Sequence, residues 1–110
     1  MNKLSLDATA REQLKVARDA PNGRSAETVY GGHERVLRQT LMALVAGTTI
    51  AEHESPGEAT LLVVLGRVRL SSGVDSWEGR QGDLLAIPAA RHALEALEDS
   101  AVLLTVARNG

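Results

Sequence analysis

From Gly23 to the C-terminal end, turn-forming residues recur about every ten positions, with short β-type runs between them. The runs are Thr28 to Tyr30, Arg35 to Ala46, Thr49 to His53, Ala59 to Leu65 and Arg67 to Leu70. Asp75 to Glu78, Asp83 to Ile87, His92 to Leu97 and Ala101 to Ala107 follow. Strands this short, punctuated this regularly, read as an antiparallel sandwich or barrel.

The face pattern sharpens this. Arg67-Val68-Arg69-Leu70 alternates, as a strand with one wet face does. Leu61-Leu62-Val63-Val64-Leu65 and Val102-Leu103-Leu104 are apolar on both faces. In an antiparallel protein one barrel interior covers only one of those faces, so something else must cover the other. The sequence offers two covers, the segment before the barrel or a second subunit, and on this ground a homodimer is expected.

That leading segment, residues 1–24, reads as a helical arm in front of a barrel spanning 25–110. From Leu6 to Ala20 the pattern is helical, with Ser5 or Asp7 as cap and Pro21-Asn22-Gly23 as stop. Leu14 and Val16, with Ala10, Ala17 and Ala20, make a thin apolar stripe. A stripe this weak does not hold an isolated helix of about 15 residues, so the arm is expected to dock.

Totals exclude several functions. A chain of 110 residues has room for one domain. With no Phe, one Tyr (Tyr30) and one Trp (Trp77), the core is aliphatic and offers few surfaces for stacking bases. The net charge of −2, with scattered charges, argues against nucleic acid as a partner. The absence of cysteine rules out disulfides, thiolate metal sites and cysteine nucleophiles. Met1 to Ala10 lacks the apolar stretch of a signal peptide, and Leu41 to Ala51 is too short and interrupted to span a bilayer. The expected location is cytoplasmic, with no membrane partner.

Three histidines are the residues most able to carry chemistry. His53 closes a strand, His92 opens one after the turn Pro88 to Arg91, and His33 follows Gly31-Gly32. A single histidine is more often structural than functional, but two at strand mouths of a small barrel point to a shared site. Neutral imidazole is also the commonest side-chain metal ligand.

From Gly47 to Leu97 the sequence resembles the two signature motifs of the cupin superfamily. Gly47, His53 and Gly66 match the first motif, and Ser55-Pro56-Gly57-Glu58 resembles its turn. Gly82, Asp83 and Pro88 match the second, with His92 one residue early. The resemblance implies a cupin jelly roll. It also implies a metal site of three histidines and a glutamate, or of four histidines, and here the sequence departs from it. Ser55 stands at the second histidine position and Ala59 at the glutamate position. His53 and His92 remain as candidate metal ligands, with Glu58 and His33 as weaker ones. The metals such a site would take are iron, manganese, zinc, nickel or copper.

His53, Ser55, Arg91 and His92 form the candidate ligand pocket. Arg91 is placed either to hold an anionic ligand bidentately or to pair with Glu52 or Glu54. Glu52, Glu54 and Glu58 read as a solvated acidic turn rather than an acid/base set. Ser55 has no oriented base and reads as a polar replacement in a degenerate metal site. Gly31-Gly32 and Gly79 to Gly82 are not phosphate loops, since no helix follows them. Trp77 reads as packing beneath a loop or as a dimer contact. Two functions follow: a small-molecule-binding cupin with His53 and His92 as hydrogen-bonding groups, or a divalent-metal enzyme of dioxygenase or isomerase type. The eroded ligand set favours the first. A purely structural role leaves the histidines unexplained, and a DNA-binding role lacks a basic recognition element.

Overall fold

The computed structural model describes residues 3–53 and 57–107, the side chains of 52 and 53 excepted. Helix α1 (Leu6–Asp19) precedes β1 (Arg24–Tyr30), β2 (Leu37–Leu44), β3 (Thr49–His53), β4 (Glu58–Leu65) and β5 (Arg67–Ser72). Strands β6 (Asp75–Arg80), β7 (Leu84–Ala86), β8 (His92–Ala96) and β9 (Ser100–Ala107) complete the chain. One sheet runs β1-β2-β9-β4-β7 and the other β3-β8-β5-β6, with antiparallel pairing throughout. The result is a jelly roll.

The two-faced strands divide their side chains as the alternation demands. Leu61, Val63 and Val102 turn inward and pack with Leu44, Val68, Leu70, Leu94 and Ala96. Leu62, Val64, Ala101 and Leu103 turn outward, where Leu41 and Ala10 of the helix meet them. Leu14 and Ala17 extend that outer layer over Ala43, Val45 and Leu65. The helix therefore supplies the second cover from within the chain, and the expectation of a homodimer loses the reason given for it.

The buried face of α1 is Ala10, Leu14 and Ala17, spaced i, i+4, i+7. Val16 lies off that face and is 50% exposed, correcting its place in the expected stripe. Ser5 is the cap, its side chain accepting from the Ala8 N–H at 3.2 Å. At the other end Arg18 reaches Asp99 at 3.1 Å. Asp99 also accepts the Ala46 N–H at 2.8 Å, and this bond, followed by the Arg18 guanidinium, holds its carboxyl below the ordinary carboxylate range. One side chain thus ties the helix to the β2–β3 turn.

β1 starts at Arg24, four residues before the expected Thr28 and one before the expected domain boundary. Its first half carries no large apolar residue. Pairing with β2, from Arg24↔Leu44 to Thr28↔Thr40, extends the strand there. On the other sheet Arg67 and Arg69 point out, as the alternation predicts, and pair with Glu78, Glu95 and Glu98.

Gly66 lets the chain cross from β4 to β5. Its φ is +80°, and a Cβ there would run into the Asp99 carbonyl oxygen and the Ser100 Oγ. Ser100 is fully buried and satisfied: its Oγ accepts from the Arg67 N–H at 3.0 Å and lies within hydrogen-bond reach of the Glu98 and Arg67 carbonyls. It has little freedom to retreat. Gly47, at φ +88°, faces open space. Gly66→Ala is therefore expected to cost about 3 kcal/mol or more, against about 1–2 kcal/mol for Gly47→Ala, where only the left-handed backbone is penalised. Urea unfolding of the two variants measures this, and equal losses would contradict the packing described at Gly66.

Candidate functional site

The inner faces of both sheets leave a cavity of about 40 Å³. Met42 of β2, Leu61 of β4 and Leu104 of β9 line it from one sheet. Ile50 of β3, Leu70 of β5, and Leu94 and His92 of β8 line it from the other, with Ile87 beyond β7. Seven of these eight described lining residues are apolar, and His92 is the exception.

His92 is 3% exposed and shares the inward parity of Leu94 and Ala96 along β8. Its Nδ1 lies 3.0 Å from the Ala90 carbonyl oxygen. A carbonyl only accepts, so Nδ1 carries the proton. In the neutral ring Nε2 then holds the lone pair, the arrangement in which an imidazole accepts a hydrogen bond or binds a metal. Ala90 follows Pro88-Ala89, so the turn that brings His92 in one residue early also engages its ring nitrogen.

Opposite His92 stands His53. Thr49↔Glu95 and Ile50↔Leu94 run in one register, which by itself would set Glu52 opposite His92. A one-residue irregularity between Ile50 and His53 shifts the pairing to His53↔His92. Such a slip exchanges the residues on a face. It brings the two motif histidines together as backbone neighbours, which spacing alone does not reveal.

The other expected site residues are placed differently. Ser55 and Glu54 lie outside the described residues. Glu58 opens β4 with the parity of Leu62 and Val64, the outward residues, and is exposed. As a metal candidate it is corrected: the inward parity belongs to Ala59, with Leu61 and Val63. His33 is exposed on the 31–36 connection, which lies at the same sheet end as Glu58, since Leu37 and Glu58 both face Ala107. It does not line the cavity. Arg91 is exposed, with Ser72 Oγ donating to its carbonyl at 2.9 Å, and it is absent from the described cavity lining. Among the described residues no three His, Asp or Glu side chains cluster as a metal site.

Sequence reasoning missed the apolar lining. Leu41, Met42, Ala43 and Leu44 are all apolar, so their alternation is invisible until the helix is seen to take Leu41 and Ala43. Trp77 is not wholly buried. Half exposed, it borders a flank groove with Leu70, Leu84, Leu85 and Ala86.

No family model matches the sequence, and no curated protein does. Solved structures do match. A conserved protein of unknown function from Streptococcus pyogenes aligns over 83% of this chain and 79% of its own, at 25% identity and TM-score 0.72. A cupin superfamily protein from Desulfitobacterium hafniense aligns over 78% of each chain, at 16% identity and TM-score 0.71. A salicylate 1,2-dioxygenase from Pseudoaminobacter salicylatoxidans aligns over 92% of this chain but 31% of its own, at 20% identity and TM-score 0.74. The fold is that of the cupin superfamily. Among the described residues no helix is long and apolar enough to cross a membrane.

The hydrogen bond to Ala90 makes a spectroscopic prediction. Long-range ¹H–¹⁵N spectra of the histidine rings at pH 8 are expected to show His92 as the Nδ1–H tautomer. An Nε2–H tautomer would contradict the ring orientation described.

Proposed function

We propose that the protein is a small-molecule-binding cupin whose ligand sits in the barrel interior. His92, with His53 across the β3–β8 pair, supplies the polar contact. One observation carries this reading: an almost fully buried imidazole, its Nδ1 proton held by Ala90, lines an otherwise apolar cavity.

A metal-dependent reading begins from the same two histidines, and their opposed register is what favours it. The described donor set does not extend further. Ala59 takes the inward place of a glutamate, and Glu58 faces outward. Protein sites for divalent metals usually offer three or four ligands, more than this pair. The described residues fit a metal poorly: among them no three His, Asp or Glu side chains cluster. Likeness to a dioxygenase does not change this, because cupin barrels, like other common folds, host unrelated chemistries.

Elemental analysis of untagged protein, purified without chelator and dialysed against metal-free buffer, tests the choice. Iron, manganese, zinc, nickel and copper are expected well below stoichiometric, with a melting temperature unchanged by EDTA. Stoichiometric metal lost in both His53→Ala and His92→Ala would overturn the binding-barrel reading in favour of a metal enzyme.

A further inference from the structure

We infer that two copies of this chain associate through β7, pairing antiparallel about a two-fold axis at Leu85 so that their five-stranded sheets become continuous. The ground differs from that of the two-faced strands, whose outer cover α1 supplies. β7 ends its sheet, and among the described residues no strand pairs with its far edge. On its near edge Thr60↔Ala86, Leu61↔Leu85 and Leu62↔Leu84 form the ladder with β4. The Asp83 carbonyl accepts from the Val63 N–H and the Ile87 N–H donates to the Ala59 carbonyl, so residues 83, 85 and 87 turn these groups toward β4. By the same alternation Leu84 and Ala86 turn their N–H and C=O groups outward.

Sheet edges are commonly guarded by charge, proline or a bulge. Leu84-Leu85-Ala86 carries none of these, and its surroundings are apolar. Leu84 is 65% exposed and Trp77 45%, and with Leu70, Leu85 and Ala86 they border the flank groove. β6 does not shut off this edge. A Cβ at Gly79 would come within 3.1 Å of both Val63 and Leu85, so β6 rests there over the β4–β7 pair and leaves Leu84 and Ala86 exposed.

A second copy is the occupant this edge fits. In the symmetric register centred on Leu85, Leu84 of each copy stands opposite Ala86 of the other. All the outward backbone groups are then matched, and each large side chain lies beside a small one. Sliding one way sets Leu84 opposite Pro88, which has no N–H. Sliding the other way sets Ala86 opposite Gly82, whose N–H is already given to Val63. Asp83 meets Ile87 in the centred register, and its carboxylate accepts the Arg80 N–H of its own turn at 2.9 Å, so no like charges oppose. On the inner side the axis brings the two Leu85 side chains together and joins the two grooves into one apolar seam. An unrelated peptide would satisfy the backbone but not this pairing of sizes. So short an edge belongs to the small end of specific interfaces, and a Kd of about 1–100 µM is expected.

Sedimentation equilibrium of the full chain, from well below to well above that range, tests this. A monomer–dimer equilibrium is expected, with the emission of Trp77, the chain's single tryptophan, moving to the blue as the dimer forms. Ala86→Pro removes the outward donor and spares the ladder with β4. It is expected to weaken association at least about tenfold, with the melting temperature of the dilute protein unchanged. Leu84→Lys, at an exposed position, is expected to do the same, and it decides the matter alone if Ala86→Pro melts early. Val74→Lys, on the fully exposed β5–β6 turn, is expected to leave the dimer intact. A chain that stays monomeric throughout, or a dimer of unchanged affinity in Leu84→Lys, would overturn the inference. So would a dimer lost equally in Val74→Lys.

Discussion

Two central strands, β4 and β9, are apolar on both faces, and the rest of the molecule is arranged around covering them. The inner faces meet the opposite sheet, and the outer faces meet a single helix. Burying a Leu or Val side chain contributes about 1.5–3 kcal/mol, so neither face can be left wet in a chain of this size. This sets a division of labour. Because Leu41, Val64 and Leu103 secure β2, β4 and β9 from outside, the neighbouring inward residues need not fill the interior completely. Met42, Leu61 and Leu104, on those same strands, are the ones that line the cavity.

The second sheet carries the buried histidine. Its outer face is a solvated ladder of arginine and glutamate, and its inner face carries Leu70, Leu94 and His92. Exposed ion pairs of this kind contribute little each, about 0–1 kcal/mol. Their arrangement keeps the cations on the outside of the sheet, away from the described cavity wall. Only His92 brings a polar group to that wall, and its environment is specific: inward parity on β8, opposite His53, with its proton engaged by Ala90.

Much of the fold was legible because its signals are local. Turns at Gly47, Gly66, Gly73 and Gly82 lie between strands, and Ser5 caps the helix as its position suggests. The alternation at Arg67 to Leu70 was readable for the same reason. What failed depended on tertiary pairing. The polar first half of β1 became strand through its partner β2, and Val16 fell off a helix face that only the docked barrel defines. In the site, the histidine pair was legible from motif spacing, but the slip that sets His53 opposite His92 has no local marker. Arg91 looked like a pocket residue by adjacency, yet it stands exposed just before β8 begins and is absent from the described cavity lining. The cavity itself was hidden by a run of apolar residues in which inward and outward positions look alike.

Crystals pressurised with xenon give the most direct view of the interior, because xenon enters accessible apolar cavities and avoids polar or metal-filled ones. This account predicts anomalous density between Met42, Leu61, Leu70, Leu94 and Leu104, beside the His92 ring. A barrel that takes up no xenon there, or that shows metal density coordinated by His92 instead, would contradict it.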